Sequence, residues 1–356
     1  MPGISTPPFP VDVPTHPLLV IDYRRVKDGD KDEIEKLWNA ATQLGFWYLK
    51  NHGVDAEVDG MFDMGLETMA LPMDEKMAHE QGDDGASFGY KAAGTNAVDE
   101  KGNLDSTEFI NVSKDDALAF PNVVHRAYPS TVVARMNSTI RPFIEKSVEV
   151  NNTLINTLNA ELGLPEGTLA QLHNPEEQSR CVARVIRAPP KPGPIDEQKA
   201  MLSAHTDFGS LSFLHNRLGG LQVLAPGTDK WQYIKPVPGH AICNIGDSLT
   251  IFSGGILRSN MHRVVPPPKE QEKFERYSVV FFTRANDHVE LRALVEDSPL
   301  IAGAVANTPN AQVRFWPGVT ARGWLERRVR GQRIKHFTVR LGTPTVHTRT
   351  HRNRAI

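Results

Sequence analysis

The chain has 356 residues, enough to bury a large core as one elaborated domain or as two. Hydrophobic residues make up 40% and charged residues 23%, as in ordinary globular proteins, and the net charge of −2 argues against a nucleic-acid partner. No apolar run approaches the ~20 residues that span a bilayer, and the Pro-rich start and two cysteines predict a cytoplasmic protein without membrane association.

The first part of the chain, after a Pro-rich lead over 1–16, shows alternating strand and helix patterns. We predict a strand over 17–23, a helix from Asp30 to Gly45, a strand over 46–54, a helix over 55–69 and a short helix from Pro72. Together these elements form an expected N-terminal module over 17–120.

Two different patterns occupy the middle of the chain. Residues 82–104 carry five glycines among polar residues, so we expect a long loop of the kind that is often functional. Ser130 is the expected N-cap of a long amphipathic helix that ends near Leu162 and kinks at Pro142. This helix is predicted to form a supporting region over 121–179.

Short apolar runs separated by Gly, Pro, Asn and Asp dominate residues 180–292. The eight runs are CVARVIRA, SLSFLHN, LQVLAP, WQYIKPV, HAICNIG, LTIFSGG, HRVVPPP and RYSVVFFTR. Strands at this close spacing predict a barrel or jelly roll. Residues 293–356 are predicted to hold an Arg-rich helix within 305–335, interpreted as a solvated face, and a basic tail. Helices at both ends of a β core indicate an α+β fold.

The motif HTD places His205 and Asp207 one residue apart. On a strand, residues i and i+2 project from the same face, so the imidazole and the carboxylate would point together. His262, on another predicted strand, would supply a third ligand. Two histidines and one carboxylate form the facial triad of non-haem Fe(II) oxygenases, which leaves positions open for a cosubstrate and O₂. The three residues therefore predict an Fe(II) site.

The motif RYS places Arg276 and Ser278 on one face of a later strand. A guanidinium fork and a hydroxyl suit a carboxylate, and a buried arginine without an anion would be costly. This pair therefore predicts a receptor for a ligand carboxylate inside the β core.

These motifs resemble those of the isopenicillin N synthase-like branch of the Fe(II)/2-oxoglutarate-dependent oxygenases. The likeness covers most of the chain: it includes PLLVIDY, GFWYLKNHGV, LPMDEKM, ASFGYKAAG and NIGDSLTIFSGGILRSNMHRVV. It implies a double-stranded β-helix (jelly-roll) core over 180–292, flanked by helices from the N-terminal and C-terminal regions.

The resemblance also implies a role for each motif residue. His205, Asp207 and His262 would bind Fe(II), and Arg276 and Ser278 would hold the distal carboxylate of 2-oxoglutarate. With O₂, 2-oxoglutarate would be converted to succinate while a C–H bond of a small molecule is oxidised. Hydroxylation, desaturation, ring closure and rearrangement all remain open, and specialised metabolite biosynthesis is the expected setting.

One departure from the family pattern leaves the cosubstrate open. Many plant members carry Asn and Tyr where this chain has Ile186 and Ala188, so a tyrosine hydroxyl that helps hold the distal carboxylate is missing. An alternative is a 2-oxoglutarate-independent iron oxidase of the isopenicillin N synthase type, in which Arg276 and Ser278 hold the substrate's own carboxylate. A jelly-roll binding protein without catalysis is a third hypothesis, which the complete ligand set disfavours.

Substrate contacts are predicted from aromatic and charged residues near these motifs. The candidates are Tyr90, Phe109, Phe208, Phe282 and Arg284. Each aromatic also has an interpretation as a core residue, and Arg284 as a surface residue. If Arg284 shares the inner face of Arg276, it would favour an acidic substrate. The substrate itself and the oligomeric state are left open.

Overall fold

The computed structural model of the protein describes residues 7–98, 102–190 and 200–333. Its strands are β1 (Val20–Asp22), β2 (Phe46–Lys50), β3 (Gly89–Lys91), β4 (Glu108–Ser113), β5 (Val182–Ala188), β6 (Leu202–His205), β7 (Leu211–Asn216), β8 (Leu221–Leu224), β9 (Trp231–Tyr233), β10 (His240–Ile245), β11 (His262–Val264) and β12 (Arg276–Thr283). Its helices are α1 (Tyr23–Lys27), α2 (Lys31–Gln43), α3 (Asp55–Met69), α4 (Met73–Met77), α5 (Lys114–Ala119), α6 (Ser130–Ala134), α7 (Arg141–Glu161), α8 (Thr168–Gln171), α9 (Asp247–Phe252), α10 (Pro299–Ala306), α11 (Ala311–Phe315) and α12 (Ala321–Gln332). None of these helices combines the length and the apolar character needed to cross a membrane.

Two sheets form the centre of the fold. The larger has eight strands in the order β1-β2-β10-β7-β12-β5-β4-β3, and the smaller has four in the order β6-β11-β8-β9. The β1–β2 pair is parallel, and the other neighbouring strands are antiparallel. Strands far apart in sequence lie side by side, as in a double-stranded β-helix. The predicted α+β fold with a jelly-roll core is confirmed.

Helices cover the outer face of the larger sheet. Met61 of α3 and Leu154 of α7 belong to the same buried apolar cluster as Val185 of β5 and Phe281 of β12. Because side chains alternate along a strand, the residues on either side of Val185 and Phe281 point to the opposite face. That inner face, together with the smaller sheet, encloses the space in which the predicted functional residues lie.

The first predicted helix has a clear local cause. The Asp30 carboxylate accepts hydrogen bonds from two N–H groups in the first turn of α2, and the helix ends just before Gly45. Gly45 has a φ of 77°, and a Cβ there would lie only 1.8 Å from the carbonyl oxygen of Arg258. Only glycine adopts this positive φ readily and leaves room for the Arg258 carbonyl, because it has no Cβ. Helix α3 has the predicted bounds of 55–69.

The long helix predicted over 130–162 is two α-helices, the short α6 and the long α7, with a π-helical turn between them. After α6 the chain makes a π-helical turn over Met136–Ile140, and α7 begins with Pro142 in its first turn. Proline is tolerated there because its missing N–H would have no partner within the helix. The buried Asn151 of α7 donates to Thr283 Oγ1 at 2.7 Å, which ties this helix to the end of β12.

Three interpretations of the sequence are corrected by the structure. The run over 249–255, interpreted as a strand, lies largely in the buried helix α9, because a short apolar run has no periodicity that separates strand from helix. The segment 82–104 is not one loop, since its residues Gly89–Lys91 form β3 at the edge of the larger sheet. Helices α10 and α11 precede the predicted Arg-rich helix, which is α12. The predicted basic tail over 334–356 lies outside the described residues.

Candidate active site

His205, Asp207 and His262 meet at the inner face of the smaller sheet. His205 ends β6 and His262 begins β11, directly opposite in antiparallel register. Asp207 lies two residues beyond β6, in the following turn instead of on the predicted strand. Its Oδ1 atom lies 3.7 Å from His205 Nε2 and 3.6 Å from His262 Nε2. One ligand atom from each residue falls within 4.8 Å of the other two.

A backbone carbonyl orients each imidazole. His205 Nδ1 lies 2.7 Å from the carbonyl oxygen of Ser203, and His262 Nδ1 lies 3.1 Å from that of Asn260. Because a carbonyl oxygen only accepts, both Nδ1 atoms donate, and each Nε2 is the ring nitrogen that faces Asp207. Burial, assisted by the neighbouring His262, lowers the pKa of His205 to about 4. His205 is therefore neutral near pH 7, the form in which imidazole binds metal ions.

Asp207 is held as a carboxylate with one oxygen free. Its Oδ2 accepts hydrogen bonds from Ser212 Oγ and, at 2.7 Å, from Asn244 Nδ2. Burial raises the pKa of Asp207, but the two imidazoles and the Asn244 amide outweigh burial and hold this pKa well below its usual range. Burial lowers the pKa of His262, but the adjacent Asp207 carboxylate outweighs burial and raises it, and a bound cation would take the place of that proton. Two imidazole nitrogens and one carboxylate oxygen are a donor set that suits Fe(II) and leaves coordination positions free. The residues present therefore fit such an ion.

Arg276 and Ser278 lie on β12 and line the same cavity. The Arg276 side chain is buried; its Nε donates to the carbonyl oxygen of Gly219 at 2.7 Å and its Nη1 to Ser278 Oγ at 2.6 Å. Within the described ranges Arg276 has no carboxylate partner, and burial lowers its pKa to about 10. A buried guanidinium without an anion is unfavourable, so a ligand carboxylate would stabilise this end of the cavity.

Ile186 and Ala188 face this pair from the neighbouring strand. Ile186 is in register with Ser278 and Ala188 with Arg276, and the Ile186 side chain lines the cavity. In the part of the chain that the structure describes, no tyrosine lines this cavity. In the described structure, therefore, no tyrosine hydroxyl lies in the cavity beside Arg276 and Ser278.

The cavity, of about 120 Å³, includes four of the five predicted substrate contacts. These are Phe109, Phe208, Phe282 and Arg284. Tyr90 is the exception and is corrected to a core residue: it is fully buried, and its hydroxyl donates to Glu108. It is in register with Ile110 and packs in the same apolar cluster, on the outer side of the sheet. Strand alternation thus turns Tyr90 away from the cavity.

Replacing Tyr90 with Phe is expected to leave 2-oxoglutarate affinity unchanged while lowering the free energy of unfolding by about 1–2 kcal/mol. The substitution removes one hydrogen bond to the buried Glu108 carboxylate. Lys76 and Arg187 still form ion pairs with that carboxylate, so its charge stays neutralised. Urea denaturation and equilibrium ligand binding measure the two effects. Weakened 2-oxoglutarate binding at unchanged stability would instead place this hydroxyl in the cavity.

Two groups of cavity residues were missed by the sequence interpretation. Arg184 lies two residues before Ile186 on β5 and points inward, a position that strand alternation in RVIRA already indicates. Helix α12, interpreted as a solvated face, also lines the cavity, through Leu325, Val329 and Gln332, and so does Arg333 directly after it.

Arg328 anchors α12 beside the metal-ligand cluster. Its Nη2 donates to Thr206 Oγ1 at 3.1 Å and lies 3.3 Å from the buried Asp247 carboxylate. Its guanidinium also lies 4.6 Å from the centre of the Phe208 ring. No local pattern signals these contacts, because α12 reaches the cavity only through the tertiary fold.

A jelly roll that holds two imidazoles and one carboxylate around a cavity defines the class of non-haem iron oxygenases. Two family models match the chain, one over its N-terminal part and one over its β core. Residues 178–285 match the 2OG-Fe(II) oxygenase superfamily. Residues 18–141 match a model described as the N-terminal region of non-haem dioxygenase in morphine synthesis.

Individual proteins show the same likeness. The 2-oxoglutarate-dependent dioxygenase frbH of Dothideomycetidae sp. is 29% identical over 282 residues, which cover 78% of this chain and 84% of that protein. A 2-oxoglutarate-dependent dioxygenase of Aspergillus fumigatus is 29% identical over 344 residues, covering 87% and 86%. The crystal structure of a full-length Neurospora crassa protein in complex with alpha-KG has a TM-score of 0.70 at 21% identity, covering 91% of this chain and 99% of that one.

The chain belongs to the Fe(II)- and 2-oxoglutarate-dependent oxygenase family, as its motifs predict. It is an Fe(II)/2-oxoglutarate-dependent dioxygenase that uses O₂ and acts on a small molecule. The family relationship supports this activity over the 2-oxoglutarate-independent oxidase that the sequence left open.

Proposed function

We propose that the cavity is the active site of this dioxygenase. In it His205, Asp207 and His262 bind Fe(II), and Arg276 and Ser278 bind the distal carboxylate of 2-oxoglutarate. One observation carries the proposal: three candidate ligand atoms and a buried guanidinium that has no acidic partner among the described residues converge on a single cavity. The bound iron would supply the activation of O₂, with 2-oxoglutarate converted to succinate and CO₂ as a substrate C–H bond is oxidised.

The residues of the chain bind and orient the reactants. In the described structure Arg276 donates through Nε and Nη1 to protein oxygens, so Nη2 would be the atom that donates to a carboxylate. Ser212 and Asn244 hold the Asp207 carboxylate so that Oδ1 faces the metal position. Apolar side chains around these groups exclude water from the reacting centre; they include Leu214, Leu221, Val264 and Val280.

The substrate is proposed to lie against the cavity wall formed by Phe109, Phe208, Phe282 and Arg284. The oxidative outcome depends on which C–H bond this wall presents to the metal. A role in specialised metabolism and a cytoplasmic location stay predictions, as does the absence of nucleic-acid and membrane partners. Both cysteines, Cys181 and Cys243, are buried and free, which supports a reducing compartment.

Succinate formation tests the proposed site directly. With Fe(II), 2-oxoglutarate and O₂, the protein is expected to release succinate slowly even without its substrate, and Asp207→Ala is expected to stop this release. Chromatographic quantitation of succinate gives the result. Oxygen consumption with the true substrate but without succinate would favour the 2-oxoglutarate-independent oxidase, with Arg276 and Ser278 on the substrate carboxylate.

A further inference from the structure

Two more arginines line the cavity wall, away from Arg276: Arg284 is buried and Arg184 is partly buried. Arg184 lies on β5, and Arg284 directly follows β12. Arg184 Nε donates to Asn111 Oδ1 at 2.6 Å, and Arg284 Nη1 donates to the carbonyl oxygen of Arg180. Arg284 Nε has no hydrogen-bond partner in the described structure. Neither guanidinium has a carboxylate partner within the described ranges.

Arg328 and Arg333, two further arginines beside the cavity, do have carboxylate partners. Arg333 lies 3.3 Å from a Glu80 carboxylate oxygen and 3.7 Å from one of Asp83. Arg328 pairs with Asp247. A buried charge is normally neutralised by an opposite one, because removing it from water is costly. Arg184 and Arg284 are therefore two desolvated cations without a direct carboxylate partner in the described structure, where the Asp207 carboxylate attracts both only from a distance.

Aromatic rings hold both guanidinium groups. The Arg184 group lies 4.0 Å from the centre of the Phe109 ring and 4.9 Å from that of Phe282, and the Arg284 group lies 5.2 Å from Phe282. Stacking of this kind orients the planar donor forks but brings no negative charge. Burial, followed by repulsion from Arg284, lowers the pKa of Arg184 to about 9, so both groups remain protonated near pH 7.

Strand register separates these arginines from the proposed 2-oxoglutarate subsite. Arg184 is in register with Val280, four residues beyond Arg276 on β12. At ~3.3 Å per residue, this separation is about 13 Å along the strand. The distal carboxylate held by Arg276 is therefore too far away to neutralise Arg184 or Arg284.

We propose that Arg184 and Arg284 form a second anion subsite, which binds the carboxylate of an organic-acid substrate. This inference rests on the proposed function, because the subsite opens into the same cavity as the metal-ligand cluster. The body of the substrate packs on Phe208 and Phe282 and under Leu325 and Val329 of α12. The charged end of the substrate is thus fixed, and the C–H bond to be oxidised lies in its apolar part.

Matched acids and amides test this subsite in the full-length protein loaded anaerobically with Fe(II) and 2-oxoglutarate. The probes are arylalkanoates from phenylacetate to 5-phenylpentanoate and their neutral primary amides, and calorimetry measures binding. The best acid is expected to bind about 10–100-fold more tightly than its amide, as charge-assisted hydrogen bonds predict. Equal binding of acids and amides to the unmodified protein would overturn the proposal, whatever any variant does.

Arginine variants then show which residues cause the preference for acids over amides. Arg184→Met and Arg284→Met are expected to lose the preference for acids while retaining 2-oxoglutarate affinity. The control is Arg217→Met, since Arg217 also stacks on a ring, 4.2 Å from the centre of Phe62, but lies outside the cavity. A preference that survives both variants, or a parallel loss of 2-oxoglutarate binding, would overturn the second subsite. Failure of the unmodified protein to bind 2-oxoglutarate would instead overturn the proposed function.

Discussion

Replacing His205, Asp207 or His262 with alanine is expected to lower Fe(II) affinity more than about a hundredfold. Loss of groups that merely orient a metal ligand already costs about 10–100-fold, and these three residues present the ligand atoms themselves. The fold is expected to persist, because the large apolar core is built from strand and helix faces outside this cluster. Anaerobic equilibrium dialysis with iron analysis measures the affinity, and circular dichroism monitors the fold.

His240→Ala is the matched control for these variants. His240 begins β10, its Nδ1 lies 2.9 Å from the carbonyl oxygen of Pro238, and its ring lies outside the cavity. We expect this variant to bind Fe(II) like the unmodified protein. If the alanine variants at the cluster also retained that affinity, the iron would be bound elsewhere and the assignment would be wrong.

Replacing Arg276 with leucine is expected to weaken 2-oxoglutarate binding by about 2–5 kcal/mol, or about 30–5000-fold. The guanidinium is buried and has no acidic partner in the described structure, so the ligand carboxylate would lose its charge-assisted hydrogen bonds. Iron affinity should not change, because Arg276 contributes no atom to the metal-ligand cluster. Anaerobic titration, followed by the weak visible absorption band that 2-oxoglutarate produces with bound Fe(II), measures the affinity.

Arg187→Leu is the control for this second prediction. Arg187 lies on β5 in register with Tyr277, so it is adjacent to Arg276 in the sheet but faces the opposite side. It pairs with Glu108 and Glu275. Its loss is expected to reduce stability and to leave 2-oxoglutarate affinity unchanged. Equal effects of the two leucine variants on affinity would show that the Arg276 charge has no specific role in binding.

The motifs were predictable because their spacing reflects strand geometry. In RYS, Arg276 and Ser278 share the inner face of β12, as an i, i+2 pair on a strand must. The HTD motif identified residues that the structure does bring together with His262, although Asp207 lies beyond the end of β6. Helix α2 was equally predictable, since its cap at Asp30 and its end at Gly45 are local features.

Other features depend on neighbours that no local pattern identifies. Tyr90 lies in the core because the pairing of β3 with β4 sets which face it occupies. The run over 249–255 lies largely in a helix because its surroundings bury α9 on all sides. Its apolar residues alone suit a buried strand equally well.

By itself, the sequence determined the α+β class, the jelly-roll core and which residues form the candidate metal and carboxylate sites, because alternation, helical spacing and capping act over a few residues. Tertiary structure alone decided that α12 lines the cavity and that Arg184 and Arg284 lie there without a direct carboxylate partner among the described residues. The physical reason is that burial and charge neutralisation are properties of the assembled surroundings. They depend on which distant strands and helices meet, and a single segment does not contain that information.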